Sequence, residues 1–163
     1  MNIIFAEDGS VRMEDIDEFA AMLLREMPGI ASSDDERAEG RIYQSPTDGK
    51  DEQADSEWKD AVEPELRELF SSAIDMVVDD LATMKPNEQG ELNLAISASH
   101  VDPWMHTLNR ARLVLGAEWD ISETDMTSSY VSPTGDPERT MAVLKIDFYG
   151  TLLEFFVRMK WKS

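Results

Sequence analysis

Apolar residues recur along this chain with two periods, and the changes between them mark the elements. Ile3-Ile4-Phe5 and Val11-Arg12-Met13 flank Glu7-Asp8-Gly9-Ser10, which predicts a short β-hairpin around an Asp-Gly turn. From Asp15 to Met27 the apolar positions Ile16, Phe19, Ala20, Leu23, Leu24 and Met27 take helical spacing, and Pro28-Gly29 is expected to stop that helix. Farther on, Trp58, Val62, Leu66, Leu69, Phe70, Ala73, Ile74, Val77, Val78, Leu81 and Met84 make one wide stripe. Its regular helix is expected to begin near Ala61 or Val62, with Pro64 in the first turn. Lys85-Pro86-Asn87 and Gly90 should end it. The alternation of Leu92-Asn93-Leu94-Ala95-Ile96 reads as a strand able to join the hairpin.

A helix is expected from Asp102 or Pro103 to Leu115, with Asp102 as N-cap and Gly116 as its close. Residues 117–135 read as an irregular turn around Trp119 and Ile121, then a loop rich in Ser, Thr, Pro and Gly. Asp136-Pro137-Glu138 signals the last helix, with the stripe Met141, Leu144, Phe148, Leu152, Phe155 and Met159. Ala142, Leu144, Ile146 and Phe148 also alternate, so the first third could be a strand. Helix is preferred, because the period persists to Arg158, Lys160 and Lys162, which suit a helix C-terminus. The pattern predicts a mainly α fold, a small helical bundle with a short N-terminal β-hairpin, in a single domain over 1–163.

Residues 30–56 break the pattern. Ile30, Ile42 and Tyr43 are their only sizeable apolar anchors, so a partly mobile acidic surface loop is expected there. A calcium loop fails, since counting from Asp51 puts Ser56 where glycine is needed and Val62 where the last acid belongs.

Composition sharpens this picture through charge. The 163 residues hold 15 Lys and Arg against 34 Asp and Glu, a net of −19, which excludes a binder of nucleic-acid backbones. Anionic bilayers would repel such a chain, and no apolar stretch approaches the ~18 residues of a membrane span. Cysteine is absent, so no disulfide, thiolate metal site or Cys nucleophile is available. The opening Met1-Asn2-Ile3-Ile4-Phe5-Ala6-Glu7-Asp8 lacks a basic flank and is too short for a signal peptide. A cytoplasmic protein is expected.

Candidate chemistry gathers in the run from His100 to Gly116. Trp104, Leu108, Ala111 and Leu115 share one helical face, whereas Asn109 and Arg112 stand three apart on an adjoining one. The favoured reading makes Trp104 core, Asn109 a partner of loop backbone and Arg112 a partner of a carboxylate. The sharper reading makes Asn109 and Arg112 a recognition pair for a carboxylate or amide, with His106 nearby. His100 and His106 are six apart and diverge by about 120° on one helix, so no shared metal is expected. Asp75 and Asp79, at i and i+4, read as a wet helix face rather than a site. Neither a Gly-x-Ser-x-Gly elbow nor a Gly-rich phosphate loop occurs, so no cofactor is implied and enzyme activity is unsupported.

The run Trp104-x-x-x-Leu108-Asn109-x-x-Arg112-Leu113-x-Leu115-Gly116 resembles the signature of an uncharacterised bacterial family, a domain of unknown function. Phe148-Tyr149-Gly150-Thr151-Leu152-Leu153-Glu154 is similar to that family's ending, and Pro64-Glu65-Leu66-Arg67-Glu68-Leu69-Phe70 fits its order of elements. The chain departs from it with Arg110 after Asn109, where members often carry an acidic or aromatic residue, and with a Ser/Pro loop before the last helix. Genes of this family often neighbour that of the Clp protease adaptor, so the resemblance implies a role near regulated proteolysis.

The leading expectation is therefore an acidic protein-interaction module with a protein partner. The alternative is a small-molecule binder or enzyme with a polar site around His106, Asn109 and Arg112. The last helix is apolar on most sides, so it is either sandwiched within its own domain or shared in a homodimer. Leu153, Phe156 and Trp161, partly outside its stripe, are the candidate interface.

Overall fold

In the computed structural model, which describes residues 1–34, 39, 47, 49–122 and 136–162, the chain opens with the expected hairpin. Strands β1 (Asn2–Phe5) and β2 (Val11–Ile16) pair antiparallel, with Ile3 opposite Met13 and Phe5 opposite Val11. Gly9 sits at φ +86°, where a side chain would be strained, and its amide donates to the Ala6 carbonyl at 3.0 Å. The expected third strand, Leu92–Ile96, pairs antiparallel with β2. Lys85–Pro86, expected only to end a helix, forms the two-residue β3 beside it, so Leu92–Ile96 is β4 and the order is β1-β2-β4-β3. Proline is tolerated there because β3 is an edge. Val11, Met13, Leu94 and Ile96 are buried on one sheet face, while Arg12 and Ala95 point outward to solvent.

The register between β2 and β4 shifts between Met13 and Ile16, and there Asp15 takes the left-handed φ of 55°. Three asparagines hold this bulge. The Asp15 carboxylate accepts from Asn2 Nδ2 at 3.0 Å and Asn87 Nδ2 at 3.1 Å, and its amide donates to Asn93 Oδ1 at 3.2 Å.

Because β2 runs on through Ile16, the first helix starts later than its stripe suggests. Helix α1 spans Glu18–Ala31, capped by Asp17, whose carboxylate accepts the Ala20 N–H at 2.7 Å. Pro28-Gly29 does not stop it. Met27, Pro28 and Ala31 are buried, and packing of this last turn offsets the one helical hydrogen bond that proline removes. Phe19, expected on the core face, is half exposed.

The long stripe from Trp58 divides at Val62 into α2 (Glu52–Ala61) and α3 (Glu63–Ala82). Asp51 caps α2 by accepting the Ala54 N–H at 3.0 Å, so residues 52–56 of the expected loop are helical. Most of the remaining acidic stretch lies outside the described residues. Leu69 and Val78 of the stripe face solvent, which narrows the buried face of α3 to Ala73, Ile74, Val77 and Leu81.

A 3₁₀ turn at Ala98–His100 leads into α4 (Val101–Glu118), which begins one residue before Asp102. Asp102 is thus a first-turn acid rather than the N-cap, favourable there to the helix dipole. Gly116 does not end α4; it is buried within it, and the Ile121 amide returns to its carbonyl at 2.9 Å. The expected loop at 123–135 falls outside the described residues.

Helix α5 (Pro137–Lys162) is helical through 141–149, which settles the helix-or-strand ambiguity. Its phase differs from expectation: Ala142, Val143, Tyr149, Leu152 and Phe156 are buried, whereas Met141 and Phe155 are exposed. Helix α4 packs against α1, α3 and α5, and one buried cluster joins these helices to the inner face of the sheet. The chain is mainly helical with an N-terminal antiparallel hairpin, among the described residues.

Candidate functional site

The polar residues singled out on α4 do not form one cluster, because they leave the helix in different directions. Trp104 is fully buried, as its face predicts, and its ring meets Phe156 edge-on with centroids 6.4 Å apart. Its indole N–H donates to Asp80 Oδ2 of α3 at 2.9 Å. His100 Nδ1 reaches the same carboxylate at 2.9 Å. Trp104 and Asp80 are therefore a core anchor and its acceptor, brought together from two helices.

His106 is exposed, its ring edge-on to Phe70 with centroids 6.2 Å apart. Phe70 also lies under the guanidinium of Arg110, 5.0 Å from the ring centroid. Arg110 is buried, and its Nε donates to the Ala31 carbonyl at the end of α1 at 2.6 Å. That carbonyl, one of those a helix end leaves without an internal partner, is satisfied by a charged donor. Sequence reasoning noted Arg110 only as a departure from a family pattern; its role here is structural.

Asn109 and Arg112 do meet. Arg112 Nη2 donates to Asn109 Oδ1 at 3.0 Å, not to the carboxylate expected for it. Arg112 lies along α5 at Gly150, where an added Cβ would stand 3.3 Å from both its Cδ and its Nη1. Its Nε is buried with no hydrogen-bond partner. Arg112 and His106, six residues apart, diverge by about 120° around α4, with Asn109 between them.

On α5, the three candidate interface residues separate. Phe156 is 1% exposed and belongs to the core, packed against Trp104 and edge-on to Phe5 at 6.1 Å. Leu153 is half-buried, and Trp161 is 84% exposed. Phe156 fails as a surface residue because the buried face of α5 is rotated one position from the expected stripe.

Two features escaped the sequence reading. The Tyr149 hydroxyl donates to the Leu23 carbonyl of α1 at 2.6 Å, and burial, helped by the charge of Glu26, pushes its phenol well above the usual tyrosine range. A groove of about 370 Å³ opens where the hairpin turn, the start of α4 and the end of α5 meet, walled by Phe5, Val11, Val101 and Met159. Only the packing of three distant segments creates it, so no local signal could announce it.

Among the described residues no three His, Asp or Glu side chains are grouped to hold a metal ion. No helix among them is long and apolar enough to cross a membrane. In comparison with known proteins, the family described as a domain of unknown function (DUF2017) matches residues 4–159. No curated protein and no solved structure matches the chain.

Proposed function

This chain belongs to the DUF2017 family, and from its geometry we propose an acidic protein-interaction module of the cytoplasm, accessory to regulated proteolysis. The observation that carries this reading is an apolar seam left open along α1 and α5. Glu26 pairs with Lys145 at 2.8 Å and the Leu23 carbonyl accepts from Tyr149, so α1 and α5 run antiparallel here. Continuing that register brings Phe19 level with Leu152 and Leu153 and Met22 level with Tyr149 and Gly150, with Phe155 just beyond Phe19 along α5. Phe19, Met22 and Phe155 are 46%, 38% and 45% exposed. Isolated exposed apolar residues are ordinary, but three large ones along one seam suit a partner's surface.

Charge supports the same face. Glu26 with Lys145 and Glu154 with Arg158 are internal ion pairs, so part of the acidity along these two helices is offset on a chain of net −19. An approaching protein meets less repulsion there than elsewhere. In this reading the helices act as a small bundle with the α1–α5 seam as its working face. The setting in proteolysis rests on what the resemblance of the Trp104–Gly116 run implies, a family whose genes often neighbour the Clp adaptor gene. A homodimer through α5 would use Leu153 and Trp161, with Phe156 withdrawn into the core. The test places a photo-crosslinking phenylalanine analogue at Phe155 or, as control, at Leu69, 52% exposed on α3. A discrete protein adduct at 155 and none at 69 supports the reading; identical adduct patterns refute it.

A second reading, a small-molecule site at His106, Asn109 and Arg112, draws its support from the unpartnered Arg112 Nε. A carboxylate ligand stabilising the wild type but not Arg112→Met in thermal melts would favour it.

A further inference from the structure

We propose that the groove between the hairpin turn, the start of α4 and the end of α5 binds an unbranched apolar chain ending in a single carboxylate. This is independent of the interaction face along α1 and α5. The groove is built from three elements, and its walls are apolar: Phe5 and Val11 from the hairpin, Val101 from α4, Phe156 and Met159 from α5. Its volume of about 370 Å³ falls within the range of small-molecule pockets. That is room for a short apolar chain, of which decanoate is a convenient representative.

The rim selects the polar end. Lys160 and Lys162 line the groove, and Val101 and Asp102 turn the positive N-terminal end of α4 toward it. Glu7 and Asp102 are the opposing acids, and Asp102 is paired with Lys160. Lys162 is exposed and makes no ion pair among the described residues, so one amine is available to a ligand anion. The charges lining the groove thus balance, two acids against two lysines, on a chain of net −19. One carboxylate is accommodated, whereas a multiply charged ligand is repelled by the rest of the surface.

The test titrates the ¹⁵N-labelled full chain with decanoate up to about 1 mM, the affinity range open to a ligand of a dozen atoms. Saturable amide shifts are expected at Gly9, Ala98, Val101 and Lys162, and the rest of the chain should stay still. Decanol, which keeps the chain and lacks the charge, should bind several-fold more weakly. Lys162→Glu should weaken decanoate several-fold without moving the thermal melt, because the side chain is exposed. Ala98→Phe, at an exposed position lining the groove, should abolish the shifts. Absent or scattered shifts would overturn the site. Equal binding of decanol, or undiminished binding by Lys162→Glu, would overturn the carboxylate assignment.

Discussion

The indole of Trp104 and the carboxylate of Asp80, 24 positions apart, are joined by a 2.9 Å hydrogen bond that ties α4 to α3. Trp104 is fully buried, so its N–H has no water to turn to, and Asp80 also receives the imidazole of His100. Asp80→Ala should therefore destabilise by about 1–3 kcal/mol, the cost of leaving a buried donor unsatisfied. Urea denaturation measures it; an unchanged midpoint would contradict the role given to this pair.

Tyr149 makes stability depend on alkaline pH. Its folded pKa is raised, chiefly by burial and further by Glu26, so the fold favours the neutral phenol. That contribution is complete below about pH 10, the unfolded tyrosine value, and is lost as pH rises beyond it. Tyr149→Phe should cost about 0.5–1.5 kcal/mol at neutral pH for the lost hydrogen bond to Leu23. The variant should also lose less stability between about pH 8 and 10.5 than the wild type, in parallel urea melts.

The two neighbouring arginines of α4 should behave oppositely. Arg110 is buried with its Nε on the Ala31 carbonyl and its guanidinium over Phe70, so Arg110→Met should cost about 2–3 kcal/mol. Arg112 has only the exposed Asn109 as partner and an unsatisfied Nε. Arg112→Met keeps the stem beside Gly150 and should change stability by less than about 1 kcal/mol. A loss of about 3 kcal/mol or more at Arg112 would reveal a buried charge partner instead.

Gly150 and Arg112 are coupled by space. Alanine in a helix interior gains about 1 kcal/mol over glycine, but a Cβ at 150 would press on Arg112 at 3.3 Å. Gly150→Ala should be near neutral in the wild type and stabilising by about 1 kcal/mol in an Arg112→Ala background. Equal effects in both backgrounds would show that the contact yields freely.

The elements were legible where local chemistry is decisive. Asp8-Gly9 with its alternating flanks specified the hairpin, and Trp104, Leu108, Ala111 and Leu115 specified the buried face of α4. Helix α5 was recognised but its phase was not. Apolar residues surround it, so the period fits Met141, Leu144 and Phe148 as well as the buried Ala142, Tyr149 and Phe156. Pro28 misled because the stop signal ignores tertiary packing, which holds the last turn of α1 in place. Of the candidate site, the Asn109–Arg112 pair could be read from its spacing of three. The acceptors of Trp104, Arg110 and Tyr149 could not, since each lies on a helix other than its donor's, 24 to 126 residues away.

The interaction module is tested most directly by comparing two baits in a native lysate, the wild-type chain and Phe19→Ser/Phe155→Ser. Both substitutions lie at half-exposed positions, so the double variant should keep the wild-type urea midpoint. The account predicts that the wild type retains one protein in stoichiometric amount and that the variant loses it. Retention of the same protein by both baits, or of none by the wild type, would contradict the account.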